Sequence, residues 1–254
     1  KRRSFLSGSC PGVCLRGSSG TFTEIFLERS NTFTYDDGDK SRGQPVSFAK
    51  IVPGRRPFLQ IISINGSRRK KGNTARLIQS ILQPLEHDGA DVTTVFLGDY
   101  TIGACTGCEG CSDSWECVIR DDFHSLVKMI DSADGIILAS PTYWYTVTSD
   151  MKRFIDRCYC LIQFPMSRRE WIGKYDGMGK TCVTAAVCEQ KDEANMGNTL
   201  TLLTNFAADI GLDVISSVKA LNCFEAGGIA KARVALSQAE SAGKAFLRQT
   251  RSSP

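Results

Sequence analysis

The stretch that decides the fold is Phe58-Leu59-Gln60-Ile61-Ile62-Ser63. It is a short apolar run of the kind that forms a buried parallel strand, and a polar, glycine-containing segment follows it. From residue 73 to about residue 87, apolar residues then recur at helical spacing. The apolar face of this predicted helix consists of Ala75, Ile78, Ile81, Leu82 and Leu85. A strand, a loop and a helix in this order predict the opening unit of an α/β fold.

The same alternation continues to the end of the chain. Further strands are predicted at residues 91–97, 135–140, 180–188 and 213–218. Further helices are predicted after Asp121 or Asp122, and at residues 149–160, 194–210 and 230–247. Five strands alternating with five helices predict a doubly wound, five-stranded parallel sheet, for which the strand order 2-1-3-4-5 fits. Ligands of such sheets bind outside the carboxyl ends of the strands, at the switch point between the first and third strands.

The first part of the chain differs from the rest. The first 23 residues contain four basic residues and neither Asp nor Glu, and residues 1–56 are rich in Ser, Gly, Arg and Thr. We therefore expect an N-terminal extension or arm at residues 1–56 and a single domain at residues 57–254. Partly alternating residues at 21–27 and 32–35 suggest a hairpin around Ser30-Asn31 within the arm.

Composition excludes some classes of function. The chain of 254 residues is 42% hydrophobic and 23% charged, and no apolar run approaches the roughly 20 residues of a membrane span. We expect a soluble protein without a membrane partner. The net charge of +4 is modest, and much of the basic excess is confined to short clusters. No long basic stripe with interleaved aromatic residues is present, so we expect no nucleic-acid partner.

Four of the 11 cysteines have the spacing of metal ligands, C-x2-C-x2-C-x5-C. Thiolates this close in sequence can surround one metal centre. The four candidate ligands are Cys105, Cys108, Cys111 and Cys117. The other cysteines lie in apolar or isolated positions and are interpreted as buried or incidental thiols. This division indicates a reducing compartment, either the cytoplasm or the matrix of an organelle.

The spacing alone leaves several interpretations of the cysteines open. The C-x2-C-x2-C part is typical of iron-sulfur cluster sites. Zinc also takes four ligands, but its usual sites pair two C-x2-C knuckles across a longer gap. The thiols could also stay free or form a labile disulfide.

Two loops beside the cysteine stretch have the character of a binding site. Residues 66–74 combine glycines with small polar residues just before a predicted helix, an arrangement that suits a phosphate. This segment matches neither G-x-G-x-x-G nor the P-loop motif. Residues 140–145 place a proline, a threonine and three aromatic residues at the carboxyl end of the third strand. Exposed aromatic residues at a switch point suit a flat heterocycle such as an isoalloxazine.

Together these segments resemble a known family. Residues 66–74, 105–123 and 140–144, continuing to 152–157, are similar to the flavodoxin-like NAD(P)H-dependent FMN reductases and, within them, to the iron-sulfur flavoproteins. The resemblance covers about residues 57–249. It implies a flavodoxin-like fold. One departure is Arg68, where the family commonly has proline, and we expect this residue to add charge beside the phosphate.

The resemblance also implies cofactors and site residues. The four cysteines would hold a [4Fe-4S] cluster. The FMN site would use Ser67, Arg69, Asn73 and Thr74 for the phosphate, and Pro141, Thr142, Tyr143 and Trp144 for the isoalloxazine. Because the flavin performs the chemistry, no catalytic side chain is required. NAD(P)H is a candidate electron donor. A ferredoxin-like electron carrier or a small quinone-type acceptor is the expected redox partner, and a homodimer or homotetramer is the expected assembly.

The predicted function is therefore that of an FMN-dependent oxidoreductase that passes electrons between FMN, a [4Fe-4S] cluster and a redox partner. One alternative is an NAD(P)H-dependent FMN or quinone reductase without a cluster. Another alternative is a redox-sensing or zinc-stabilised binding protein that uses the cysteine loop as a switch. The first alternative predicts bound flavin without iron, and the second predicts no bound flavin.

Overall fold

A computed structural model describes the fold of residues 58–252. Its seven strands are β1 (Gln60–Asn65), β2 (Asp91–Phe96), β3 (Gly135–Pro141), β4 (Ile162–Ser167), β5 (Glu170–Gly173), β6 (Thr181–Val187) and β7 (Asp213–Ala220). Its α-helices are α1 (Asn73–His87), α2 (Phe123–Ser132), α3 (Ser149–Arg157), α4 (Thr199–Asp209) and α5 (Arg233–Ser252). The predicted alternation of strands and helices is confirmed.

Five of the strands form one parallel sheet with the order β2-β1-β3-β6-β7. Counted within this sheet alone, the order is the predicted 2-1-3-4-5. The chain reverses direction across the sheet between β1 and β3, so a crevice opens at the carboxyl ends of these two strands. The doubly wound architecture is therefore confirmed.

Two apolar layers cover the two faces of the sheet. Alternate residues of β3 divide between them: Ile136 and Leu138 join the layer that includes α2, α3 and α4, whereas Ile137 and Ala139 join the layer that includes α1 and α5. Because successive side chains of a strand point to opposite faces, a strand buried on both faces has an uninterrupted apolar sequence. The sequence of β3 contains an apolar run because both faces of this strand are buried.

Some elements were not predicted. An antiparallel hairpin of β4 and β5 is inserted between α3 and β6. Pro165 lies within β4 and obscures its strand pattern. The helix predicted at residues 194–210 is divided by Gly197, which has φ +56°, and only the part from Thr199 is α-helical. The helix predicted at residues 149–160 ends its α-helical part at Arg157 and continues as a short 3-10 turn.

The predicted arm of residues 1–56 and its hairpin lie outside the described residues. No helix between residues 58 and 252 is long and apolar enough to span a membrane.

Candidate flavin and cysteine site

The loop after β1 is folded by its own polar groups. Asn65 Oδ1 accepts a hydrogen bond of 2.8 Å from the Ser67 N–H, and Ser67 Oγ accepts one of 3.2 Å from the Arg69 N–H. Gly72 then precedes α1, and a Cβ atom there would lie 2.8 Å from Arg69 Cβ. The first N–H groups of a helix have no intrahelical partners and carry its partial positive charge. This loop therefore presents a helix N-terminus of the kind that binds phosphate.

The four predicted phosphate residues occupy different environments. Ser67 and Thr74 are buried within the loop and the first turn of α1, whereas Arg69 is exposed. Asn73 begins α1, but its side chain faces the segment before α5. Its Nδ2 donates to the carbonyls of Cys223 and Glu225 at 3.0 and 2.8 Å.

The Asn73 side chain also accepts two hydrogen bonds. Its Oδ1 receives the N–H groups of Gly227 and Ile229 at 2.9 and 3.3 Å. Four hydrogen bonds use both donors and both lone pairs of the amide. The backbone N–H of Asn73 is consequently the group that remains suited to an anion.

Arg68, expected to add charge beside the phosphate, is paired with a carboxylate. Its guanidinium forms two hydrogen bonds to the Asp150 carboxylate on α3, from Nε at 2.6 Å and from Nη2 at 2.9 Å. The hydrogen bonds from Arg68 lower the pKa of Asp150, although partial burial opposes this shift. The side-chain stem of Arg68 lies against Gly98, where a Cβ atom would be 2.7 Å from Arg68 Cγ. Arg68 therefore ties the first loop to α3 and to the end of β2.

An orphaned polar atom lies at the base of the same loop. Asn65 Nδ2 is buried without a hydrogen-bond partner, and it is the only such side-chain atom in the described part of the chain. An unpaired buried amide donor is costly, so such an atom marks a position where a ligand can supply the acceptor. Phosphate and ribityl oxygens are acceptors of this kind. The loop therefore fits the phosphate-bearing end of a flavin nucleotide.

The loop after β3 presents its aromatic residues to solvent. Trp144 is 92% exposed, and Tyr143 and Tyr145 are each more than half exposed. Trp144 and Tyr145 adopt φ values of +49° and +65°, which form a tight reversal closed by the Tyr143 N–H on the Thr146 carbonyl at 2.8 Å. Large apolar side chains held in a strained backbone mark a functional loop rather than a packed core.

A cavity of about 460 Å³ lies beside these aromatic residues. Thr142, Tyr143 and Trp144 line it, together with Glu189 and Gln190, which no sequence motif marks. Pro141 ends β3 at the entrance to the loop. The Thr142 N–H donates a hydrogen bond of 2.8 Å to the Val187 carbonyl, which connects the loop to the end of β6. The cavity has the aromatic lining and the size that suit a flat heterocycle.

Thr148 joins the phosphate loop to the aromatic loop. Its Oγ1 donates to the Gly66 carbonyl at 2.8 Å, and its N–H donates to Ser140 Oγ at 3.1 Å. It is also the N-cap of α3, where Oγ1 accepts from the Met151 N–H at 3.3 Å. A Cβ atom on Gly66 would lie 2.9 Å from Thr148 Oγ1, so only glycine fits without displacement. The two halves of the predicted flavin site are thus one connected structure.

The four predicted metal ligands lie in the long connection between β2 and α2. All four line one cavity of about 340 Å³. Cys105 and Cys108 are exposed, Cys111 is half-buried and Cys117 is buried. Among residues 58–252, no three Cys, His, Asp or Glu side chains converge at the separation that a single metal ion requires. The four thiolates of a [4Fe-4S] cluster bind four different irons and so surround a larger volume than the ligands of one ion.

Local contacts affect the thiols of this loop differently. Hydrogen bonds from the Gly110 backbone and then from Thr106 lower the pKa of Cys108. Partial burial, followed by the proximity of Cys117, raises the pKa of Cys111. A lower thiol pKa favours the thiolate, which is the form that binds metal.

Arg157 of α3 is buried beneath the cysteine loop and forms hydrogen bonds with it. Its buried guanidinium pairs with the Asp121 carboxylate, with Nη1 2.5 Å from Oδ2. Burial opposes the charge on Arg157, but its hydrogen bonds to Asp121 and Cys117 outweigh this effect and raise its pKa. The sequence predicts a helix start at Asp121 or Asp122, and Asp121 Oδ1 accepts the Phe123 N–H at 3.1 Å. Its ion pair with Arg157 was not foreseen, because the two residues are 36 positions apart.

Structural comparison finds the same fold in solved structures of other proteins. The chain superposes on a flavone reductase with a TM-score of 0.58 and 17% identity, covering 76% of this chain and 64% of that protein. It superposes on an azoreductase from Bacillus anthracis with a TM-score of 0.56 and 12% identity, covering 75% of this chain and all of that protein. At these identities the likeness shows the fold alone, which is flavodoxin-like.

Curated relatives are more similar in sequence. An iron-sulfur flavoprotein of Archaeoglobus fulgidus is 39% identical over 120 residues, which are 47% of this chain and 52% of that protein. An iron-sulfur flavoprotein of Methanocaldococcus jannaschii is 35% identical over 99 residues, which are 39% of this chain and 51% of that protein. The chain spans about half the length of the curated relatives that it matches. Residues 59–202, more than half of the chain, match the model of the NADPH-dependent FMN reductase family, and the chain therefore belongs to that family.

Proposed function

We propose that this protein is an FMN-dependent oxidoreductase of the iron-sulfur flavoprotein type. The observation that carries the proposal is the cavity lined by Cys105, Cys108, Cys111 and Cys117, which accompanies a connected pair of loops suited to a flavin nucleotide. The membership of the FMN reductase family and the similarity to iron-sulfur flavoproteins support it.

The first loop would bind the phosphate-bearing end of FMN. In this proposal Ser67 and Thr74 supply hydroxyl donors, and Arg69 supplies an exposed positive charge. The backbone N–H groups at the start of α1 add the charge of the helix terminus. Asn73 acts mainly through its backbone, because its amide is engaged by the segment before α5.

The aromatic loop would bind the isoalloxazine. Thr142, Tyr143 and Trp144 border the cavity, and Pro141 sets the direction of the chain as it leaves β3. When bound, FMN supplies hydride and single-electron chemistry, with NAD(P)H as the proposed donor. These side chains bind and orient the ring and exclude water from it.

The four cysteines would bind a [4Fe-4S] cluster. The donor set fits, because four cysteine thiolates are the usual ligands of such a cluster. When bound, the cluster supplies one-electron transfer to a carrier. A ferredoxin-like protein is the proposed carrier, with a small quinone-type acceptor as an alternative.

Other features of the proposal follow from the family resemblance and the thiol chemistry. A homodimer or homotetramer is proposed as the assembly, and residues 1–56 are proposed as an extension that contributes to it. Residues 57–254 are proposed as the FMN-binding domain. The cluster ligands must stay reduced, so a reducing compartment such as the cytoplasm or an organelle matrix is proposed.

The decisive experiment is anaerobic purification, with reconstitution in iron and sulfide, followed by a visible spectrum and by iron, sulfide and FMN determination. We expect bound FMN together with about four iron and four sulfide per chain. Bound FMN without iron after reconstitution would favour the cluster-free FMN or quinone reductase. The absence of flavin would overturn the proposal.

Cysteine variants make the same experiment specific. Cys108→Ala and Cys117→Ala are each expected to lose most of the iron while keeping FMN. Cys182→Ala is the matched control, because Cys182 is a buried thiol of β6 that does not line the cavity of the four cysteines. Equal iron content in all three variants would contradict the ligand assignment.

A further inference from the structure

Arg157 is a buried arginine in which every N–H group has a partner. The residue is 1% exposed. Its Nη1 donates to the Gly103 carbonyl at 3.1 Å and to Asp121 at 2.5 Å, and its Nη2 donates to the Ile119 carbonyl at 2.9 Å and to Asp121 at 3.2 Å. The fifth N–H, on Nε, donates to Cys117 Sγ at 3.2 Å. All five N–H donors of the Arg157 guanidinium group therefore have acceptors.

All of these partners belong to residues 103–121, the segment that contains the four cysteines. One guanidinium on α3 therefore contacts the beginning of the segment at Gly103, its end at Asp121, and a candidate ligand between them. The Phe123 ring lies 4.7 Å from Arg157 Cζ and holds the plane of the guanidinium. The orientation of Nε toward the sulfur is thus imposed by several contacts.

If Arg157 only anchored the loop, its hydrogen bonds to the Asp121 carboxylate and to the two backbone carbonyls would be explained. Its hydrogen bond to the Cys117 sulfur would not. A neutral thiol is a weak acceptor, and a buried arginine N–H normally finds an oxygen. A thiolate is a much better acceptor of a charge-assisted hydrogen bond. The contact is therefore the arrangement expected around a metal-bound cysteine sulfur, whose orientation and electron density outer contacts control.

We propose that Arg157 is a positioning residue for the cluster, which holds Cys117 Sγ in place and raises the reduction potential of the cluster through its N–H···S hydrogen bond. This inference rests on the proposed function, because it requires that the cluster is bound. Reduction adds negative charge to the cluster, and both a hydrogen bond to a ligand sulfur and a nearby positive charge stabilise that charge. Asp121 sets the size of the effect by neutralising part of the arginine charge.

The test compares the reconstituted full-length protein with Arg157→Lys. Lysine keeps the positive charge but lacks the planar guanidinium group with its five donors. It therefore cannot donate hydrogen bonds to Asp121, the two carbonyls and the sulfur at the same time. Arg153→Lys is the matched control, since Arg153 lies one turn earlier on α3 and donates to the Ile102 carbonyl at 3.1 Å rather than to a sulfur. The measurements are iron, sulfide and FMN content, and the midpoint potential of the cluster in a titration followed by electron paramagnetic resonance.

We expect Arg157→Lys to keep FMN and to lower the midpoint potential. A tenfold change in the one-electron equilibrium constant corresponds to a shift of about 59 mV. Asp121→Asn provides a second variant with the opposite expectation: the arginine charge is then less neutralised, so the potential should rise. A residue with a merely structural role would not give shifts of opposite sign.

Three outcomes would overturn the inference. The first is a cluster potential that is equal in wild type and Arg157→Lys. The second is loss of FMN together with the cluster in Arg157→Lys, which would identify a folding residue. The third is a wild-type protein that takes up FMN but no iron, because the proposed cluster itself would then fail. The first two outcomes leave the proposed function intact.

Discussion

Thr148 Oγ1 donates a hydrogen bond of 2.8 Å to the carbonyl oxygen of Gly66. This single bond connects the start of α3 with the first residue after β1. The same hydroxyl also caps α3 by accepting the Met151 N–H. The loops that follow β1 and β3 therefore cannot move apart without breaking it, and flavin affinity should depend on it.

Thr148→Val removes the hydroxyl and keeps the shape of the side chain. We expect a loss of about 1–2 kcal/mol in the free energy of unfolding, because a helix cap and a buried hydrogen bond are lost together. FMN affinity, measured by flavin fluorescence, should fall as well. Thr93→Val on the exposed side of β2 is the control, and equal effects of the two variants would refute the role of Thr148.

Asn73→Asp tests how Asn73 serves the site. A carboxylate cannot donate to the Cys223 and Glu225 carbonyls, so we expect the FMN-free protein to lose about 2 kcal/mol in urea unfolding. Asn205→Asp, at an exposed position of α4, should change stability little. If Asn73→Asp weakens FMN binding but leaves the stability of the FMN-free protein unchanged, the side chain contacts the phosphate directly.

Gly197→Ala should displace the aromatic loop. Gly197 has φ +56°, and a Cβ atom there would lie 2.2 Å from the Tyr145 carbonyl oxygen. Gly177→Ala is a matched control, since Gly177 has φ +72° but open space around its Cβ position. We expect about 1 kcal/mol of destabilisation for Gly177→Ala and about 2–4 kcal/mol for Gly197→Ala.

The comparison also has a functional readout. Only Gly197→Ala should weaken FMN binding, because only that substitution pushes on the loop that carries Tyr143, Trp144 and Tyr145. Equal flavin affinity in both glycine variants would show that the aromatic loop does not contact the ring.

The Arg68–Asp150 pair predicts a pH dependence of stability. The hydrogen bonds from Arg68 hold the pKa of Asp150 below its ordinary value. A depressed carboxyl pKa contributes stability above the pKa of the unfolded chain, about 3.9, and this contribution is lost as the pH falls through the lower folded pKa. Asp150→Asn should therefore cost up to about 1 kcal/mol at neutral pH, since Arg68 is largely exposed.

The pH prediction is checked by urea unfolding of the FMN-free wild type and Asp150→Asn. The difference in their free energies of unfolding should shrink on acidification to about pH 3. A difference that stays constant between neutral and acidic pH would contradict the assignment of the stabilising charge to Asp150.

The architecture of the sheet followed from local pattern. The apolar runs of β1 and β3 are buried on both faces, and the helical period of α1 matches its observed bounds of Asn73–His87. The positions of the loops could be predicted as well: the glycine-containing loop follows β1, the cysteine segment lies between β2 and α2, and the aromatic loop follows β3. These features depend on neighbours in sequence, so propensity and spacing are sufficient to predict them.

The connections between the loops were decided by tertiary structure. Arg157 reaches Cys117 across 40 positions, Arg68 reaches Asp150 across 82, and Asn73 reaches Cys223 across 150. No local pattern in the sequence predicts that Arg157 is buried or that the Asn73 amide is already engaged. A long polar side chain takes its partner from whatever the packed layers bring within hydrogen-bond distance, and that proximity exists only after the sheet and helices have assembled.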